Sequence, residues 1–227
     1  MRSNKMIKMQ GLAAFKSQYW LSVLTYVIAA AAIFVLSGSF NIEFKSDMPK
    51  AETINVIMPF AAAAVSVFSL VALAAKIALV PISYGYKKVL LQEVDGKKIQ
   101  IKDMFSLYKK FGRVLGLEIV IYLKILAWTL LFIVPGIIAA YRYSLAGYIF
   151  AENPEMGIME AINESKRLMK GFKGKLFGLD MSFIGWALLS ALTLGVLFVF
   201  YVGPYYYASC AVFYRERVLT DKSGNLE

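Results

Sequence analysis

The stretch VLGLEIVIYLKILAWTLLFIVPGIIAAYRYSLAGYIFA, residues 114–151, decides the fold of this chain. A helix needs about 20 apolar residues to cross a hydrocarbon core of about 30 Å, so the stretch is long enough for two crossings. Pro135-Gly136 is a turn or break signal near its middle. We therefore predict one membrane span from just after Arg113 to about Val134, and a second from there to Ala151. The second would have about 16 residues and a length of ~24 Å, which is short.

The rest of the chain has the same character. Hydrophobic residues make up 59% of the 227 residues and charged residues 18%, and the mean hydropathy is +0.61. A soluble domain of this size would expose large apolar patches. The composition therefore predicts an all-α, polytopic transmembrane helical bundle, a single integral membrane domain over residues 1–227.

Four further spans follow from the other apolar runs. The first is predicted from Tyr19 to Phe40, and the second within 54–86, where it ends at Lys87-Lys88. The fifth starts near Leu176, and the sixth ends near Tyr214. The turn between the last two lies either at 193–195 or at Gly203-Pro204.

The basic residues predict the orientation of these six spans. The net charge is +10, and 20 of the 25 Lys and Arg residues fall in the N-terminal segment, in 87–113, in 152–178 and in the tail from Arg215. Basic segments between short spans stay in the cytosol, and six spans put all four on that side. We therefore predict cytosolic termini and a multi-pass plasma-membrane protein. Because this pattern explains the charge, no nucleic-acid partner is expected.

The cytosolic segment 153–172 has the pattern of an amphipathic helix. Asn153 can cap it, Pro154 and Glu155 suit its first turn, and Gly171 can close it. Its apolar stripe consists of Ile158, Ile162, Met169 and Phe172.

Two other segments that are predicted to be cytosolic have the same pattern of an amphipathic helix. In the segment before the third span, Asp103 is expected to cap the helix, and Lys109, Lys110 and Gly112 are expected to end it. The stripes are Met104, Phe105, Tyr108 and Phe111 in that segment, and Met6, Met9, Ala13 and Phe15 near the N-terminus. Such helices either lie on the cytosolic leaflet, where they would bind anionic lipid, or pack beneath the bundle, and both can hold together.

The sequence also contains an approximate repeat. Glu93, Glu152 and Glu216 each stand nine residues after a tyrosine. We predict three units, at 1–93, 94–152 and 153–216, and a short cytosolic tail at 217–227. Each unit would be a surface helix followed by a helical hairpin.

Catalytic chemistry finds little support in the residues. The chain has no histidine and one cysteine, Cys210, so the Ser-His and Cys-His nucleophile pairs are excluded, as are the usual metal ligands of intramembrane metalloproteases. No phosphate-binding or dinucleotide-binding glycine motif is present. We expect no enzyme activity, no cofactor and no metal, and we expect Cys210 to be a small buried hydrophobe.

Ionisable residues within the predicted spans are the candidate site. Lys76, Lys124 and Arg142 lie at a common depth of about 15–16 Å, and Glu118 and Asp180 at about 7–8 Å, counting 1.5 Å per residue. Such groups are costly in lipid and usually face the bundle interior. The three cations, with Tyr143 or Tyr122 as hydrogen-bonding partners, predict an anion or ligand site, and the two acids are their candidate partners. Static pairing and snorkelling are the alternative.

Residues 128–214 resemble the bacterial membrane family known as domain of unknown function 975. The matching residues are Val134-Pro135-Gly136-Ile137-Ile138, Tyr141-x-Tyr143-Ser144, Ala161-Ile162-x2-Ser165, Leu168-Met169-Lys170-Gly171, Ser182-Phe183-Ile184-Gly185-Trp186, Leu192-Thr193-Leu194-Gly195, Pro204-Tyr205 and Ala211-x-Phe213-Tyr214. Phe172 departs from the family, which usually has His there. The resemblance implies a Gram-positive-type bacterial plasma membrane and transfers no catalytic residue.

Two functional hypotheses remain. The first is a non-catalytic membrane module that binds lipid, a peptide, a partner protein or a second copy of itself, for example in envelope stress, export or immunity. The second is a small transporter or channel for an anionic or peptide solute that uses the polar centre of Lys76, Lys124 and Arg142. Repeats and interrupted helices favour transport, whereas the scarcity of polar residues in the spans favours the module.

Overall fold

A computed structural model describes residues 3–37, 74, 77–193 and 195–224 of the chain. Every regular element in these ranges is a helix, which confirms the all-α prediction for the part described. The helices are α1 (Asn4–Ser17), α2 (Tyr19–Ser37), α3 (77–94), α4 (Ile101–Met104), a 3-10 helix (Ser106–Lys110), α5 (Phe111–Leu131), α6 (Ile133–Tyr143), α7 (Ala146–Glu152), α8 (Ile158–Leu168), α9 (Lys173–Met181), α10 (Ile184–Leu192), a π-helix (Phe198–Val202) and α11 (Gly203–Gly224).

Three helical stretches are long and apolar enough to cross a membrane: Ile101–Leu131, Ile133–Glu152 and Lys173–Leu192. Their ends near the turns carry large apolar side chains on the surface, with Leu130 79%, Ile133 73% and Leu192 82% exposed. Contiguous exposed apolar surface of this kind is stable in lipid and not in water. The structure thus supports membrane association.

The turn between α5 and α6 lies at Phe132, so its predicted position at Pro135-Gly136 is wrong. Pro135 is in the first turn of α6, where its missing N–H costs no helical hydrogen bond. Gly136 serves close packing instead, since a Cβ there would lie 2.9 Å from Thr129 Cα on α5. The shift lengthens the second crossing to 20 residues, Ile133–Glu152, which removes the shortfall expected from the sequence.

The turn that follows α10 includes Thr193 and Gly195, at the first of the two predicted positions; Leu194 lies outside the described residues. Gly195 has φ +83°, and its N–H donates to the Ser190 carbonyl at 2.9 Å. This left-handed glycine closes the helix as Cβ-bearing residues rarely can. The sixth span was predicted to end near Tyr214; the helix at this position, α11, runs on to Gly224, and the end of the span stays a prediction.

Helix α3 passes straight through Lys87-Lys88 and continues to residue 94. Lys87-Lys88 was predicted to end the second span; the helix itself continues past the pair, and the position of the membrane boundary stays a prediction. The two lysines lie on a helix that is buried on much of its surface, since Tyr86, Val89 and Leu90 are at most 3% exposed. Lys87 therefore points among packed helices rather than marking the end of one.

The segment 153–172 forms its helix later than predicted. Asn153 ends α7, and α8 starts after Gly157, whose N–H donates to Glu160 Oε2 at 3.3 Å. Glu155 instead contacts Lys110 at 2.6 Å and Arg113 at 3.1 Å, and these cations hold the pKa of its carboxyl below the ordinary value. The predicted stripe packs under the bundle: Ile162 and Met169 are fully buried, and Ile158 and Phe172 partly.

The segment before α5 also differs from its predicted outline. Gln100 and not Asp103 stands at the cap of α4. Lys109 and Lys110 lie in the last turn of the 3-10 helix, as predicted, but Gly112 closes no helix because it is the second residue of α5. Of its stripe, Met104 is buried, Phe111 is partly buried and Phe105 and Tyr108 are exposed. The exposed pair stack on each other with ring centres 6.0 Å apart.

Helix α1 packs against α11 by a different face from the one predicted. Ile7, Gly11 and Phe15 are buried, and a Cβ on Gly11 would lie 2.8 Å from Ser209 Cα. Met6, Met9 and Ala13 are exposed. The prediction combined Phe15 with residues that lie on another side of the helix.

Candidate functional site

A cavity of about 400 Å³ lies between α3, α6, α7, α9 and α11. Its lining contains one cation, one carboxylate, one thiol and four phenols. These polar residues are Lys87, Asp180, Cys210, Tyr141, Tyr148, Tyr206 and Tyr207, and the other lining residues are Ala140, Ser144, Leu145 and Leu176. Its volume falls in the range of small-molecule sites, which is about 300–1,000 Å³. We call it the Lys87–Asp180 cavity.

Lys87 is placed by α3 and held by aromatic faces. Its Nζ lies 4.4 Å from the ring centre of Tyr84 and 5.9 Å from that of Tyr148. Gly147 of α7 makes room for it, since a Cβ there would overlap Lys87 Nζ. Tyr84 in turn donates to Glu118 Oε2 at 2.5 Å. Ring faces attract an ammonium, but they offer it no hydrogen-bond acceptor in the usual sense.

Asp180, from α9, is the carboxylate of the lining. Tyr141 of α6 donates to its Oδ2 at 2.7 Å, and Tyr206 of α11 donates to its Oδ1 at 2.9 Å. Each oxygen of the carboxylate has one phenol donor. Three helices are thus joined at one partly buried carboxylate.

Cys210 lies between the phenols on α11. Its thiol lines the cavity and interacts with Tyr206. Cys210 was expected to be a small buried hydrophobe; it is partly buried and borders a polar space. Behind it Tyr207 contacts Tyr26 and Tyr86, each with ring centres 5.8 Å apart. These aromatic contacts make a rigid wall.

Lys87 and Asp180 line one cavity without forming an ion pair with each other or with any other residue that the structure describes. Opposite charges in a low-dielectric interior are normally paired. The arrangement can therefore hold a polar ligand by charge and by hydrogen bonds from both walls.

The predicted cationic centre is only partly described. Lys76 lies outside the described residues. Lys124 on α5 and Arg142 on α6 are partly buried, and their side chains have no hydrogen bond or ion pair among the described residues. Tyr143 is buried at 5% exposure and Tyr122 is exposed at 65%. Neither of the two cavities described here is lined by Lys124, Arg142 or Tyr143, so this site stays a prediction.

The two intramembrane acids take phenols as partners. Glu118 accepts from Tyr84, and Asp180 accepts from Tyr141 and Tyr206. No ion pair joins either acid to a lysine or arginine of the described residues. Each phenol supplies the carboxylate with a hydrogen bond without burying a second charge, and it leaves the negative charge without a cationic partner.

A second cavity, of about 730 Å³, opens between α1, α11 and the C-terminal ends of α3 and α7. We call it the three-glutamate groove, because Glu93, Glu152 and Glu216 all line it. Ser22 donates a hydrogen bond to Glu93. Arg215 forms ion pairs with Glu152 at 2.5 Å and with Asp95 at 2.7 Å. Most of the charged side chains of the groove thus already interact with other residues of the protein.

Sequence reasoning missed Lys87 and the phenols around Asp180. Lys87 was assigned to the membrane boundary because a Lys-Lys pair after an apolar run is typical of one. The available signal was local: Tyr84 stands three residues before Lys87, which puts both on one helix face. Among the described residues no group of three His, Cys, Asp or Glu side chains is placed to hold a metal ion.

Comparison with known proteins confirms the resemblance over the second half of the chain. Residues 118–220 match the model of a family described as a protein of unknown function (DUF975). The match includes Tyr141, Asp180, Tyr206 and Cys210 of the cavity and leaves out Lys87. No curated protein and no solved structure matches the chain.

Proposed function

We propose that this protein is a non-catalytic membrane module that binds a ligand in the Lys87–Asp180 cavity. The observation that carries the proposal is that a lysine and an aspartate line the cavity without an ion-pair partner among the described residues. A buried charge is destabilising unless something pairs with it, and a bound ligand can supply both partners. The lone thiol Cys210 has a phenol and no strong base beside it, which favours binding over nucleophilic catalysis.

Cys210 provides a native reporter for this proposal, because it lines the cavity and is the chain's one cysteine. In nanodiscs of native lipid extract we expect a small methanethiosulfonate reagent to modify Cys210 slowly. Lys87→Met should accelerate the modification at least fivefold, because it releases the ligand that blocks access. The rates are obtained by quenching the modification at several times and measuring the intact mass of the protein.

The matched control is Lys98→Cys in a Cys210→Ser background, since Lys98 is exposed and outside the cavity. Its labelling rate should not respond to Lys87→Met. Equal Cys210 rates in the wild type and in Lys87→Met would show that nothing occupies the cavity, and the proposal would fail.

The finer topology is also a proposal. Six spans with cytosolic termini in a bacterial plasma membrane are supported by three membrane-length helices, by the apolar start of α2 and by the four basic segments. In a Cys210→Ser background, cysteines at Gly96 and Glu164 should resist an impermeant thiol reagent in intact cells. A cysteine at Ser46 should react. Labelling of Gly96→Cys or Glu164→Cys from outside would contradict six spans.

The three-hairpin repeat is supported by the three-glutamate groove. Glu93, Glu152 and Glu216, the equivalent positions of the three units, all line it. An approximate threefold arrangement of the units would bring equivalent positions together in this way.

Binding of anionic lipid at the cytosolic leaflet is proposed for the segment before α5. Its exposed, stacked Phe105 and Tyr108 stand beside the exposed lysines Lys102 and Lys109. Aromatic rings and lysines together are typical of the membrane interface. Binding of a protein partner, or of a second copy of the chain, is also part of the function proposed for this module.

A small transporter is the second candidate, and one observation favours it. The α-helix is interrupted in all three membrane-length stretches, at 105–110, at 144–145 and at 182–183, and Ser144 and Leu145 line the cavity. Interrupted helices beside a midplane site are a feature of transporters, and Lys76, Lys124 and Arg142 would then lie along the solute path. Ligand uptake into proteoliposomes would favour transport, and binding without uptake would favour the module.

A further inference from the structure

We infer that the ligand of the Lys87–Asp180 cavity is a zwitterion, whose phosphate or carboxylate lies at Lys87 and whose ammonium lies at Asp180. The inference rests on the proposed function and names the chemistry of its ligand. The phosphoethanolamine headgroup of a membrane lipid has this chemistry, and so does a free zwitterion of the same kind.

The Lys87 end calls for an anion. The described contacts of its Nζ are the ring faces of Tyr84 and Tyr148, and no described residue accepts a hydrogen bond from it. An ammonium has three donors. Glu118 influences Lys87 electrostatically, but its carboxylate is engaged by Tyr84 and forms no ion pair with Lys87. A phosphate or carboxylate in the cavity would supply the acceptors.

The Asp180 end calls for a cation. A carboxylate has about four acceptor positions, and Tyr141 and Tyr206 take one on each oxygen. The remaining positions can accept from a ligand ammonium. Tyr206 and Tyr141 also border the cavity with their rings, and phenol rings bind ammonium groups by cation–π attraction.

Charge balance separates the zwitterion from its alternatives. Lys87 and Asp180 are the charged residues of the lining, so the empty cavity has no net charge. A simple anion would pair with Lys87 and leave Asp180 unpaired, and a simple cation would do the reverse. A zwitterion pairs both, which is the arrangement that a buried site tolerates.

The position of the cavity fits entry from the membrane. Asp180 lies seven residues into α9, counted from Lys173, or about 10 Å along the helix at 1.5 Å per residue. Ala140 is an exposed residue of the lining, so the cavity opens on the outer surface of the bundle. A lipid headgroup can reach such a site sideways from the leaflet.

The test uses the full purified chain in detergent and titration calorimetry with four probes. They are dihexanoylphosphatidylethanolamine, dihexanoylphosphatidylglycerol (an anion without an ammonium), free phosphoethanolamine and hexylamine. We expect the phosphatidylethanolamine to bind at least tenfold more tightly than the phosphatidylglycerol or the amine. Free phosphoethanolamine binding equally well would identify a soluble zwitterion as the source, and its failure to bind would identify the lipid. Either result supports the zwitterion.

Substitutions of Lys87 and Asp180 test which charged group of the ligand each residue binds. Lys87→Met and Asp180→Asn should each weaken binding of the zwitterion at least tenfold, and Asp180→Asn should also abolish its advantage over the anion. Lys87→Arg keeps the positive charge and should recover most of the binding lost in Lys87→Met, so a folding defect is distinguishable. Lys170→Met, an exposed lysine, is the matched control and should bind as the wild type does.

Two results would overturn the inference. If the phosphatidylglycerol binds as tightly as the phosphatidylethanolamine, and Asp180→Asn has no effect, the ligand is an anion. The proposed function would then stand without the zwitterion. If no probe binds and Cys210 labelling is also indifferent to Lys87→Met, both the inference and the proposed function fail.

Discussion

Gly85→Val is expected to destabilise the protein by about 3 kcal/mol, the upper end of the cost of overpacking. Helix α3 meets α4 at this glycine: a Cβ there would overlap the Met104 carbonyl oxygen and lie 2.8 Å from Met104 Cα. These are backbone atoms, so no side-chain rotation can relieve the contact. Met104 is itself fully buried, which leaves α4 little room to move. The two helices must therefore separate.

Thermal unfolding in detergent micelles, followed by circular dichroism, measures the effect. For a chain of this size about 3 kcal/mol corresponds to a fall in Tm of about 6–12 °C. Gly112→Ala is the matched control, because a Cβ there meets nothing within 4 Å, and its Tm should be unchanged or slightly raised. A Gly85→Val protein with wild-type stability would show that α3 and α4 do not pack as described.

This contact also matters for the site, because α3 supplies Lys87. Gly85 stands two residues before Lys87 on the same helix. A helix pushed away from α4 would displace Lys87 from the ring faces of Tyr84 and Tyr148 that hold it. We therefore expect Gly85→Val to weaken ligand binding together with stability, unlike Lys87→Arg.

The sequence predicted the helical class and the apolar helices because composition and run length depend on local chemistry. It placed the turn of the α5–α6 hairpin three residues late, at Pro135. Proline is compatible both with a turn and with the first turn of a helix. The choice between them is made by packing of Gly136 on Thr129, which is a contact between helices and leaves no local signal.

The partners of the charged residues could not be predicted for a similar reason. Counting residues gave plausible depths for Glu118 and Asp180, but it could not tell that Tyr84, Tyr141 and Tyr206 would be their donors. A chain with fourteen tyrosines offers too many candidates. The sequence predicted the apolar stripe of α8. Its burial beneath the bundle could not be predicted, because it depends on the positions of the neighbouring helices.

The double variant Lys87→Met/Asp180→Asn is expected to lose the ligand almost completely. Each substitution removes one of the two charges that line the cavity and keeps a side chain of similar size. Because the two ends would hold one ligand molecule, the losses should combine to at least a hundredfold. The fold should survive, since an amide still accepts a hydrogen bond from Tyr141 or Tyr206 and replacing a buried lysine by methionine removes a desolvation cost.

Native mass spectrometry of the protein released from nanodiscs of bacterial lipid extract tests the central claim most directly. The wild type and the exposed-site control Lys170→Met should each retain one bound ligand per chain, and the double variant should retain none. Equal ligand occupancy in the wild type and the double variant, or no retained ligand in the wild type, would contradict the claim that the Lys87–Asp180 cavity is a binding site.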